Sequence, residues 1–138
     1  QMITETIRPD VAIVTDVTHD THTPMINKIK EGDCAMEKGP VVTFGPSVQN
    51  NLLKLIIETA KKNKIDIQRA AASRSTGTDT DAFAFNTGGV ASALISLPLR
   101  YMHTTVETVA QKDVESVIHL IYNSLLKIKN NHDFRYLK

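Results

Sequence analysis

The stretch at residues 97–107, Leu-Pro-Leu-Arg-Tyr-Met-His-Thr-Thr-Val-Glu, sets an arginine, a tyrosine and a histidine directly behind an apolar run. Neutral imidazole is the commonest nitrogen ligand for zinc and its neighbours, so His103 is the first candidate for metal chemistry. As a bare loop histidine it would have no such task. Arg100 can pair with a substrate carboxylate or with Glu107. Asp16 is the next candidate, just behind the apolar run Val11-Ala12-Ile13-Val14. A carboxylate anchored by a rigid element suits a metal site; the same position suits an aspartate that closes a turn through its side chain. Asp79 and Asp81 flank Thr80 in a glycine-containing loop at a helix start. There they either cap the helix, favoured by its exposed N–H groups, or recognise a cationic group such as an amine. His19 and His22 sit in a loop with Pro24, without the fixed face of a helix, and read as supporting or solvent-facing groups. No Gly-rich phosphate loop, nucleophile elbow or zinc-ribbon cysteine pattern is present.

These groups need elements to hold them. Residues 11–14 and 41–44 read as short buried strands. Between them, residues 27–38 are charged and read as a surface loop, punctuated by Gly39-Pro40. Ser47 behind Pro46 is a candidate helix cap. After it Val48, Leu52, Leu55, Ile56 and Ala60 recur at helical spacing, until Asn63 and Lys64 close the helix. Residues 65–72 read as a strand and 73–81 as a polar loop. Residues 82–85 read as one or two helical turns, which Gly88-Gly89 break. Residues 90–97 are the strand that feeds His103. Asp113 can cap a last helix, on which Val114, Val117, Ile118, Ile121, Leu125 and Ile128 keep a helical period. The alternation predicts an α/β fold, a largely parallel layered sheet with helices on its faces. Loops at the carboxyl ends of parallel strands gather on one edge, so this topology predicts that Asp16, Asp79 and His103 converge.

A chain of 138 residues suits one domain with a real core, and 41% apolar with 22% charged residues is a globular composition. Net charge is +1 with Lys and Arg scattered, which implies neither a nucleic-acid nor a membrane surface. The apolar runs are too short to span a bilayer, and no secretory pattern opens the chain. Cys34 is alone, which fits a reducing compartment and hence a cytoplasmic protein, and it reads as a small buried apolar residue. The chain starts at Gln1, as a piece of something longer would.

Taken together, Ala-Ile-Val-Thr-Asp-Val-Thr-His at 12–19 with Thr23-Pro24, Gly77-Thr78-Asp79, and Ile-Ser-Leu-Pro-Leu-Arg-Tyr-Met-His at 95–103 with Glu107 occur in the order of one family. They resemble the two-metal aminopeptidases of the glutamyl and tetrahedral aminopeptidase type, some of which carry the name endoglucanase or cellulase M. The resemblance runs from Pro9 to about Lys129. It implies a zinc-peptidase-like fold and metal-assisted hydrolysis of N-terminal peptide bonds. Two divalent ions, zinc or cobalt, polarise the carbonyl and hold the water that a glutamate activates. Asp16 matches the aspartate that binds one metal and His103 the histidine that binds the other. Thr78 and Asp79 match a loop lining the substrate pocket and are candidate specificity residues, while Arg100 is the substrate-binding candidate from its own residue type. Thr76 stands where relatives often have a second glycine, and His22 where many have an acidic or small residue.

The other ligands, the general-base glutamate and the lid or dimerisation domain of that family belong to an amino-terminal part whose motifs are not in this chain. The expectation is that residues 1–138 form the carboxyl-terminal half of a catalytic domain. Alone it would be inactive and bind no metal. Its partners would be peptide substrates, the missing half and further copies of itself. A glycoside hydrolase with Asp16 and Asp79 as its carboxylates ~5–9.5 Å apart is the alternative, weakened by 5% aromatic residues and no Trp for sugar stacking. A non-catalytic assembly module is the third.

Overall fold

The structure, a computed structural model, describes residues 2–86 and 89–134; Gly88 of the predicted break and Tyr136 of the tail lie outside the described residues. In chain order the elements are α1 (Met2–Ile7), β1 (Val11–His19), α2 (Lys28–Glu31), β2 (Val41–Phe44), α3 (Asn50–Lys62), β3 (Gln68–Ala71), α4 (Asp79–Ala84), β4 (Ala91–Arg100), β5 (Thr108–Val109) and α5 (Gln111–Leu125). The α/β layered fold is as the sequence predicts. The sheet order is β1-β4-β2-β3, with the short β5 against β4.

The strand directions depart from the largely parallel expectation. β1 runs parallel to β4 and β2 parallel to β3, but β2 and β4 are antiparallel. The carboxyl ends of β1 and β4 therefore share one edge, and those of β2 and β3 point to the other. The loop at 73–78 leaves β3 beside Phe44, at the wrong edge for simple strand-end convergence. α4 then connects into the start of β4, where the Val90 N–H donates to the Phe83 carbonyl at 3.2 Å.

Both central strands are longer than their apolar runs. β1 continues through Asp16 to His19 because every one of its residues pairs with β4, from Val11 with Ala91 to His19 with Leu99. β4 crosses Pro98 without breaking. On the flank of β4 away from β1, β2 pairs at Ile95 and Ser96 and β5 at Leu99 and Arg100. Pro98 falls in the gap between them, where a missing N–H costs no ladder bond.

Alternation along the strands divides the sheet. Ile13, Ala93, Ile95, Leu97 and Val42 face the main core, where they meet Leu52, Ile56, Val117 and Leu120 of α3 and α5. Ala12, Val14, Asp16, Leu94 and Ser96 take the opposite face; α4 packs on β1 and β4. The α3 cap is Gln49, whose side chain accepts from the Leu52 N–H, and not Ser47. The α5 cap is Ala110, without a side-chain bond, and not Asp113. Asp113 is instead fully buried in the first turn, where its carboxylate accepts from the Glu37 N–H at 2.6 Å and the Gly39 N–H at 2.9 Å. The segment read as surface loop holds the one-turn helix α2, capped by Asn27.

Candidate functional site

Asp16 sits inside β1, paired with Ser96 and half-buried. Its Oδ1 accepts from the N–H of Val17 at 2.7 Å, which fixes the carboxylate against its own backbone. His103 comes from the neighbouring strand, in the turn that links β4 to β5. That turn is tight. Tyr101 and His103 both adopt positive φ, 58° and 64°, a conformation that costs non-glycine residues of order 1 kcal/mol each and persists where the surroundings enforce it. The Thr104 N–H donates to the Tyr101 carbonyl at 3.1 Å, and the His103 N–H donates to Glu107 Oε1 at 2.5 Å. Glu107 is thus a loop-pairing residue, and the exposed His103 ring stands on a braced backbone.

Arg100 pairs with Asp20 and not with Glu107. Its Nε donates to Asp20 Oδ2 at 2.9 Å. Asp20 is buried, and its Oδ1 accepts from the His22 N–H at 2.8 Å. Burial pushes the Asp20 carboxyl up, but the hydrogen bond from Arg100 and those from the His22 and Met36 backbone hold it below the ordinary carboxylate range. The same pairing raises Arg100 above its ordinary value. His22 also stands 3.3 Å from Asp20 and 3.6 Å from Asp33. Nothing local in the residues points to the Asp20–Arg100 pair; only the β1–β4 register, once known, brings the two together.

Thr78 caps α4, its Oγ1 accepting from the Thr80 N–H. Asp81 folds the loop onto the helix by accepting from the N–H groups of Thr76 and Gly77, each within 3.1 Å. Capping is therefore the work of Thr78 and Asp81, while Asp79 stays exposed in the first turn. The carboxyl end of α4 lies at the start of β4, where the Val90 N–H meets the Phe83 carbonyl.

One carboxylate and one imidazole suit zinc or cobalt in kind. They fall short in number, since a protein zinc site takes at least three protein ligands. Among the described residues, no group of three or more His, Cys, Asp or Glu could hold a metal ion.

A profile of the M42 glutamyl aminopeptidases matches residues 1–120. The chain belongs to this family. It is 37% identical to the lysyl aminopeptidase of Pyrococcus furiosus over 89% of this chain and 35% of that one. Among solved structures it resembles a TET aminopeptidase from a marine sediment thaumarchaeon, at 29% identity and a TM-score of 0.79 over 89% of this chain and 34% of that one. It also resembles a TET peptidase solved as a dodecamer in the asymmetric unit, at 25% identity and a TM-score of 0.62 over 86% of this chain and 34% of that one. The chain thus spans about a third of the length of these relatives.

Proposed function

We propose that residues 1–138 form the carboxyl-terminal part of the catalytic domain of a metal-dependent aminopeptidase, which removes N-terminal residues from peptides. Asp16 gives one ligand to one divalent ion and His103 one ligand to a second. The remaining ligands and the general-base glutamate come from other residues of the complete enzyme, so the chain alone is inactive. Thr78 and Asp79 contact the substrate, and Arg100 uses the guanidinium N–H groups not bound to Asp20. The observation that carries this reading is that Asp16 lies on β1 and His103 in the turn that leaves β4, the parallel neighbour of β1, both inside the region the family profile matches. β1 supports it too. It has β4 on one flank and no strand on the other among the described residues, and an unpaired strand edge seeks a partner. A cytoplasmic, homo-oligomeric enzyme is the corresponding whole, in line with the dodecameric relative.

The test is reconstitution. This chain is combined with a polypeptide supplying the rest of the enzyme, in the presence of zinc or cobalt, and hydrolysis of aminoacyl-nitroanilides is followed. Activity is expected in the combination and in neither part alone. Asp16→Asn or His103→Ala should lower it at least ~100-fold, since even supporting residues of a metal site are worth 10–100-fold. Full activity in both variants would overturn the assignment.

A further inference from the structure

A groove of about 570 Å³ runs between α3 and the segment that follows α5. Its lining includes Lys54, Lys62, Lys127, Lys129 and His132, with Glu58 as its only acidic side chain among the described residues. This is a local excess of cations on a chain whose net charge is only +1. Lys54 is partly neutralised by Glu58 at 3.9 Å. Lys62 and Lys127 line the same groove, neither is in an ion pair with a carboxylate among the described residues, and the nearby Lys62 holds Lys127 below the ordinary lysine range. His132 Nδ1 accepts from the Lys129 N–H at 3.4 Å, so a neutral ring carries its proton on Nε2 and presents a donor.

Two lysines that line one groove repel each other unless something offsets their charge. Helix ends account for part of this. α3 ends at Lys62 and α5 just before Lys127, and each carboxyl terminus carries about half a negative charge. Two ends give roughly one negative charge, against the ammonium groups of Lys62, Lys127 and Lys129. A positive surplus is left in a concave site.

We infer that this groove binds a small polyvalent anion of the phosphate-chain class, seated between Lys62 and Lys127 with Lys129 and the His132 ring beside it. Phosphate oxygens accept from several ammonium groups at once, and such charge-assisted bonds are the strong ones. The site lies apart from Asp16 and His103 and needs no metal.

Titration calorimetry of the chain with sodium tripolyphosphate, at fixed ionic strength, tests it. Saturable binding is expected, weakened about tenfold in Lys62→Ala/Lys127→Ala, the effect of losing two exposed charge contacts. Lys28→Ala/Lys30→Ala should leave it unchanged, because those lysines already face Asp33 and Glu31. A parallel titration with adenosine triphosphate identifies the source: equal affinity assigns the groove to a free phosphate chain, tighter binding to a nucleotide. Circular dichroism confirms that each variant is folded. Non-saturable heats, or equal loss in both double variants, would overturn the site as general screening of surface charge.

Discussion

Asp20 and Arg100 lie eighty positions apart in the chain and meet at 2.9 Å, just past the last paired residues of β1 and β4. The offset is that of the whole strand pair, Val11 with Ala91 through His19 with Leu99. The ion pair is thus the final rung of the ladder, closed by the Asp20 N–H donating to the Leu99 carbonyl at 2.8 Å. It braces the edge from which the His103 turn departs.

Removing Arg100 leaves a buried carboxylate with its backbone donors and the His22 ring but without its guanidinium partner. Arg100→Ala should lower stability at pH 7 by about 1–3 kcal/mol, the cost of a buried group losing its charged partner. The sign with pH follows from the depressed Asp20 carboxyl. A carboxyl lower in the folded than in the unfolded state stabilises fully above the unfolded value near pH ~4, and that contribution is lost as pH falls through the folded value. The difference between parent and variant should therefore shrink below pH ~4. Urea unfolding at neutral and acid pH measures it, and a gap independent of pH would contradict the pairing.

The layered α/β fold, the α3 and α5 periods and the segment of each candidate residue are visible in the residues, because apolar spacing is local information. Strand direction is not local. The antiparallel junction of β2 with β4 depends on which edges meet, and it sends the loop at 73–78 to the edge away from the His103 turn. Pro98 reads as a strand end because a proline removes an N–H; that the flank there has no partner to miss is a tertiary fact. The cap positions shifted for a similar reason. Ser47 and Asp113 are good capping types, yet Gln49 and Ala110 hold the cap positions, and Asp113 serves a segment over seventy positions upstream.

Asp113 accepts two N–H groups from the approach to β2, so Asp113→Ala should orphan both. A loss of about 2–4 kcal/mol is expected, one buried donor at a time. Gly39 belongs to the same joint. Its φ is +88°, and a Cβ there would meet the Asp66 carbonyl oxygen at 2.0 Å. Gly39→Ala should destabilise by a comparable amount through strain and displacement of the backbone. If thermal unfolding shows either variant within about 0.5 kcal/mol of the parent, as for an ordinary surface change, this joint is not structural.

Cys34 is buried, and its backbone and the Thr21 hydroxyl exchange hydrogen bonds, at 2.9 and 3.0 Å. Burial, with the negative charges of Asp20, Asp113 and Asp33, pushes its thiol up to about 12. Thiolate is the reactive form, so the folded protein should resist labelling near neutral pH. A disulfide reagent should react at least ~100-fold more slowly with native than with denaturant-unfolded chain. Rapid stoichiometric labelling of the native chain would mean that the segment at 20–40 opens readily.

α5 carries two apolar faces. Val117 and Leu120 are buried against the core, while Ile118, Tyr122, Leu125 and Leu126 are 58, 61, 55 and 62% exposed. Spacings of three, four and eight place these four on one side of the helix. A contiguous exposed stripe of this kind marks a contact surface. With β1 unpaired on its outer flank among the described residues, the chain should self-associate when purified alone. Tyr122→Glu/Leu125→Glu should shift the sedimenting species towards monomer and reduce binding of an apolar dye. Stability should change by no more than about 0.5 kcal/mol, since both side chains are largely in solvent. Loss of folding in this variant would instead place the stripe inside the core's energetics. An unchanged mass with unchanged dye binding would move the association surface to the β1 edge, where Thr15→Pro is the matching variant: proline blocks strand addition but leaves α5 intact.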